Sequence, residues 1–531
     1  MSLWGIMRTL SICIVLAGLA MAQEKPVDLY HGLGVWHHPI GTGNPEAQKF
    51  FDQGLALMYG FNRYEALRSF RHAAALDPSA AMAYWGMAMS QGPYVNMDGD
   101  AEYDMKASCE AAAAGLKLTA APAHEQAYMR AAAARCPEYQ PQAYVEAMRA
   151  LTIAWPDDPD AATLYAESLM IPVRWHWYAN DGTPAAGVPE AEHILEAILR
   201  RWPDHPGANH LYIHLVESSK TPERAIPSAQ RLMGIMPWAG HMVHMPGHIW
   251  LTLGDYEMAA SVNERAVEVD REYLARTGVT HSGYVAYYLH NLHFIAYARS
   301  MQGRRADGLR AADEIMAASG SFLGTMPEMA DAFESAVIFC RVRFRDWSAI
   351  LNMPQPKESQ YQKLATWRYA RALAFAAQGK LPAAEQERKA LAAIRQAVPA
   401  DAFWGYTKAA DVLALELEIV DARRSTTPAE ALPHWQRAVD LQDTFTYDEP
   451  PDWYYPVRES LGAALLQAGK PLEAENVFRA GIERSPRNGR MLFGLMETLR
   501  AQGKNEAAAW VKREFDAAWA KADIQLKIEE L

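Results

Sequence analysis

A spacing of 34 residues recurs in distant parts of this chain and constrains its fold more than any other feature. His210 and His244 stand 34 residues apart, as do His214 and His248, Gly469 and Gly503, and Ala474 and Ala508. Self-similarity at a period of about 20 to 50 residues marks an architecture of stacked units, each unable to bury its apolar face alone. At 531 residues the chain is also too long for one ordinary core.

The small residues around that period show what the unit is. From Phe50 to Pro78 the chain carries Gly54, Ala66, Phe70, Ala73 and Pro78, and near its other end Gly462, Gly469, Ala474, Phe478 and Pro486. Both series resemble the tetratricopeptide consensus, a helical hairpin of about 34 residues. Gly254 to Ala259, the stretch ending at Ala225, and Gly379 with Ala384 mark further units, and inserts at 174–190 and 269–283 interrupt the period. A small residue on each helix lets the two approach, and the proline ends the second helix. Val262, Ala266 and Val269 recur at helical spacing, with no alternating strand pattern of comparable length. The resemblance implies an all-α fold, a TPR-like right-handed superhelix of helical hairpins (α-solenoid) with an inner groove. It also extends to bacterial exported tetratricopeptide proteins carrying segments such as His244 to His248 and His290 to Phe294, and implies a fold there without an activity. The expected divisions are a signal peptide at 1–22, an arm at 23–45, a first array at 46–315 with the histidine-lined groove, and a second array at 316–531.

Composition narrows the function classes. Half the residues are apolar and 21% charged, which is ample for a buried interior, and the net charge of −12 opposes a nucleic-acid or anionic-membrane role. Arg8, the apolar run from Leu10 to Ala20, and Ala20-Met21-Ala22 read as a secretory signal cleaved before Gln23, with a lipoprotein anchor on Cys13 as the rival. No later apolar run approaches the roughly 20 residues of a membrane span. An exported, periplasmic or secreted protein is expected. Cys109, Cys136 and Cys340 are too few for a disulfide framework but allow one bridge.

The histidines carry the chemistry. His210, His214 and Glu217 fall on one helix face, His241, His244 and His248 on the next, and His290 and His293 on a third. Steps of three, four and seven residues return to within about 60° on a helix, so each set shares a face. By resemblance to the family, those positions line the concave surface. Neighbouring helices pack about 8–10 Å apart, so their imidazoles can meet at one ion. The bland alternative is a set of polar histidines bonded to a peptide or stacked on Tyr287, Tyr288 and Trp250. Pro246 favours a helix start near Val243 to Met245, which would leave His241 on the approaching turn. Imidazoles suit zinc, copper or iron, and Glu217 is a candidate ligand, orienting partner or catalytic base. Met242 and Met245 read as core.

Three other clusters stand out. Trp175, His176, Trp177 and Tyr178 in the first insert could form a lid on the groove or pack the insert. Trp36, His37 and His38 could chelate, or pack an arm on the first repeat. The stretch Pro450 to Pro456 reads as a rigid turn or a ligand contact. No phosphate loop, dinucleotide fingerprint, nucleophile elbow or HExxH motif is present. Two functions fit: a groove that binds a transition metal, as an enzyme on a small molecule or peptide or as a metal carrier, or a non-catalytic scaffold for a peptide or another exported protein.

Overall fold

The computed structural model describes residues 27–96, 103–279, 283–320 and 327–531, so the expected signal peptide lies outside the described residues. Helices follow one another as hairpins from Pro45–Tyr59 to Asn505–Ala518, each packed on its neighbours in sequence. The all-α array of the tetratricopeptide kind is therefore the architecture. Its repeating joint is the same at both ends. The Phe70 ring wedges between Gly54 and Gly86, where an added Cβ would come within 2.7 and 2.3 Å of it. Phe478 wedges in the same way between Gly462 and Gly494, at 2.6 and 2.2 Å. One aromatic ring thus needs a missing side chain on its own hairpin and another on the next, which ties each unit to its successor. Among the described residues the only sheet is a two-residue ribbon, Phe403–Trp404 with Thr407–Lys408.

Two apolar cores form, one running from Leu33 to Ile249 and the other from Leu251 to Leu531. Their seam falls at residue 250, in the helical segment that carries His241, His244 and His248 and well inside the first expected array. The expected open groove is filled where it passes this seam. Asn180 of the first insert donates to the carbonyls of Asp443 and Phe445 at 3.4 and 3.2 Å, and Trp175 stacks on Tyr406 at 5.2 Å. The 174–187 insert, the small ribbon and the 443–456 segment together cover the histidines.

The arm from residue 27 folds back on the first repeats. Asp160 accepts from the Trp36 indole at 3.0 Å and the Tyr59 hydroxyl at 2.6 Å, and meets His38 Nδ1 at 2.9 Å. Burial opposes a charge on His38, but the Asp160 carboxylate outweighs it and raises the imidazole. His37 instead faces Asp52 from an exposed position. His38, Asp158 and Asp160 would also suit a cation by proximity, yet both carboxylates and His38 Nδ1 are already engaged, and the cluster acts as the arm's anchor. Cys109 and Cys136 form a disulfide, while Cys340 is free and buried. Among the described residues no helix is long and apolar enough to cross a membrane.

Candidate metal centre

Three helical segments bring the histidines together. Pro206–Glu217 starts at Pro206, with His205 Nδ1 accepting from the Ala208 amide at 3.1 Å. Gly240–His244 and Pro246–Thr252 are one path broken at Met245, where Pro246 has no amide to give. The helix begins at Gly240, earlier than Pro246 suggests, so His241 lies on it and inside the centre. Glycines in this segment permit close approach. A Cβ on Gly240 would lie 1.8 Å from Asp270 Oδ1, and one on Gly247 would lie 2.5 Å from Asn263 Nδ2. The third segment is Tyr284–Met301.

The imidazoles fall into two groups of three. His210, His214 and His241 each offer a nitrogen within 4.8 Å of the other two, and so do His244, His248 and His290. The first five of these residues are at most 1% exposed; His290 is half-buried. Neighbours fix the tautomers. His210 Nδ1 donates to the Tyr59 carbonyl at 2.6 Å. Asn263 Nδ2 donates to the Ala259 carbonyl at 2.7 Å, which turns its Oδ1 toward His244 Nδ1, also at 2.7 Å. Both rings must therefore carry their proton on Nδ1 and present a bare Nε2. Each bare nitrogen faces another histidine's Nε2, His241 at 3.1 Å and His248 at 2.7 Å. Two nitrogens on one ion at about 2.0–2.1 Å stand about 2.9–3.4 Å apart, a range that includes the His210–His241 separation and that the His244–His248 separation falls short of. His214 Nε2 and His241 Nδ1 are buried without a hydrogen-bond partner.

Glu217 sits between the groups. Its Oε1 is 3.1 Å from His214 Nδ1 and its Oε2 is 2.5 Å from His248 Nδ1. Burial pushes this carboxyl well above its usual range and holds His214, His241, His248 and His290 well below theirs. Burial also brings His244 down to about 4 and His210 to about 3, the latter against its bond to Tyr59. Proton counting gives two consistent states. Without a cation, Glu217 must stay protonated, or His248 must donate from both nitrogens and become a buried imidazolium. With cations at the Nε2 atoms, Glu217 can ionise and accept an Nδ1–H from one ring of each group. That is the carboxylate–histidine–metal arrangement by which an outer partner orients a ligand.

Aromatic rings close both groups. Phe61 lies 4.3, 5.9 and 5.2 Å from the rings of His210, His214 and His241. Phe294 lies 4.8, 5.0 and 4.9 Å from those of His244, His248 and His290. Tyr287 packs on His241 at 4.2 Å, and Trp175, beside Trp177, stands edge-on to His214 at 5.7 Å. Two expected members stand apart. His176 is exposed, turned away between two inward tryptophans. His293 packs on Tyr454 and Phe333 at 6.0 and 6.1 Å and joins neither group. Three residues beyond His290, it is rotated by about 60° and raised by about 4.5 Å along the helix. The spacing alone did not reveal Tyr59, Phe61, Asn263 or Phe294, nor Glu449, whose Oε1 is 3.5 Å from His248 Nδ1. Tyr447 bonds Glu217, and Asp448 adds a neighbouring charge. The run Asp448 to Asp452 around the double proline was the available signal.

Fold and site together define a helical-repeat protein with a buried histidine centre. No family model matches the sequence, and no curated protein matches it. Among solved structures, a human IFIT1 dimer with m7Gppp-AAAA is 13% identical, covering 90% of this chain and 91% of that one with a TM-score of 0.34. Yeast Tom70 is 12% identical, covering 90% of this chain and 98% of its own with a TM-score of 0.32. At such scores the likeness carries no argument about this site.

Proposed function

We propose that the chain is a transition-metal protein with two adjacent ion sites, His210/His214/His241 and His244/His248/His290, oriented in common by Glu217. The observation that carries this reading is that the bare Nε2 atoms of His210 and His244, whose opposite nitrogens are held by Tyr59 and Asn263, each face the Nε2 of a second histidine. Six imidazoles with no thiolate suit zinc, copper or iron. Three protein ligands with a vacant fourth position is the pattern of catalytic sites, so a metal-dependent reaction on a small molecule is the natural extension. Burial beneath Trp175, Trp177 and Tyr287 disfavours a peptide substrate. The Cys109–Cys136 bridge supports a location outside the reducing cytoplasm.

Elemental analysis of untagged protein tests this. About two ions per chain are expected, with loss from the second site in a His244→Ala/His248→Ala variant. Native protein free of metal overturns the reading and leaves a scaffold for another protein as the surviving function.

A further inference from the structure

The amino-terminal arm belongs to neither ion group, yet it meets the start of each helical segment that carries the first. Residues 30–38 form no helix or strand and lie across the surface, with Val35 99% exposed between a buried Leu33 and a buried His38. At Pro206–Glu217 the link is Asp160, which is 3% exposed and accepts from four side chains. Two belong to the arm, the Trp36 indole at 3.0 Å and His38 Nδ1 at 2.9 Å. The third is the Tyr59 hydroxyl at 2.6 Å, and the carbonyl of the same residue accepts from His210 Nδ1. The fourth is His205. Its Nδ1 accepts the Ala208 amide at the start of the ligand helix, so its Nε2 carries the proton and donates to Asp160 at 3.3 Å. Trp36 also packs on the His205 ring at 4.3 Å, and the Tyr59 ring sits where a Cβ on Gly207 would come within 2.4 Å of it.

At Gly240–His244 the link is Trp238, just before that segment. Its amide donates to the Gly32 carbonyl at 3.0 Å, and its ring stacks on Tyr30 at 4.6 Å. Gly32 and Gly34 both have positive φ, and a Cβ on Gly34 would lie 2.9 Å from the Ile235 carbonyl oxygen, so bare backbone lets the arm lie this close. The second group is placed from elsewhere: Asn263 holds His244, His248 lies beyond the break at Met245, and His290 is on Tyr284–Met301. We infer that residues 30–38 are a strap that governs the first ion site. Docked, they hold the starts of its two helical segments at the spacing where His210, His214 and His241 share one ion; undocked, they release that ion while the second site keeps its own. The inference rests on the reading of both groups as ion sites. Ligand nitrogens must all stand about 2.0–2.1 Å from the ion, so a shift of either helix start takes its histidines out of reach.

The test is zinc titration of the untagged full chain against a chelating dye, with bound metal measured in parallel. Wild-type protein should take up about two ions, and a Trp36→Ala/His38→Ala variant should hold the second as before and the first about 10-fold or more weakly. Adding His210→Ala to that variant should change little further, whereas adding His244→Ala/His248→Ala should abolish tight binding, which assigns the loss to the first group. His38→Gln, whose amide can still donate to Asp160, should keep most of the affinity. Gly34→Val lifts the strap from Ile235 by a separate route and should reproduce the loss, which covers the case of an unstable Trp36 variant. Two ions of unchanged affinity in the undocked variants, or an equal loss at both sites, overturns the strap alone. Wild-type protein that takes up no metal overturns the ion sites and the strap together.

Discussion

At the scale of single residues, Glu217 has the most consequential environment. It is 1% exposed, and each oxygen meets the Nδ1 of a histidine from a different group. Glu217→Gln keeps the shape but gives one arm a donor facing a donor. One ring then loses the acceptor that fixes its tautomer, the other keeps only a neutral amide oxygen in place of a carboxylate, and ligand basicity falls at both. Metal affinity should drop about 10- to 100-fold at both groups together, since one carboxylate serves both. Competition titration with a chelating dye would measure it. No loss at either group would show that Glu217 does not orient the pair.

At the scale of the element, the helical segments explain how much of the site was legible. The 34-residue spacing that joins His210 to His244 and His214 to His248 located two helices and most of the imidazoles, because a hairpin repeat returns equivalent positions to neighbouring places. It could not choose between His290 and His293, which share a face loosely and separate only when the neighbouring segment is seen. Nor could it find Tyr59, whose backbone carbonyl does the work, or Asn263, which reaches His244 because Gly247 leaves space. The fold was more legible than the centre for the same reason. Wedges such as Phe70 between Gly54 and Gly86 repeat in sequence, whereas the 443–456 cover arrives from a distant hairpin with no periodic mark.

These elements also set a pH dependence. The folded chain refuses protons on His244 down to about pH 4 and on His210 down to about 3, whereas unfolded imidazoles take them near 6.5. Between those limits the unfolded state binds more protons, so stability rises with pH up to about 6.5 and is lost on acidification. For His244 alone the span corresponds to about 3 kcal/mol. Urea unfolding of metal-free protein at pH 7.5 and 5 should show the midpoint falling at the lower pH. In a His244→Asn variant the fall should be smaller. An acid-independent midpoint would mean that these rings are accessible to protons in the folded chain.

At the scale of the whole molecule, the centre lies where two cores meet. One ends at Ile249 and the other begins at Leu251, and the cover from 443–456 reaches back to the insert at Asn180. Ions held there join residues 210 to 290 across the seam. An ion that binds only the folded state adds about 4 kcal/mol at a free concentration 1,000 times its dissociation constant. Without it, six imidazoles, five of them fully buried, and Glu217 are what hold the junction, and nitrogens such as His214 Nε2 lose their only available partner. Chelation should therefore do more than lower the melting temperature. The two cores should cease to unfold together, so that calorimetry of the metal-free protein shows two transitions where the loaded protein shows one. Proteolysis should then cut first in the 443–456 segment, whose contacts with the centre hold it in place, and adding back zinc or copper should restore both the single transition and the protection. A chelated protein that still melts in one step at the same temperature would mean that packing alone couples the cores, and that the histidine centre takes no part in the assembly of the array.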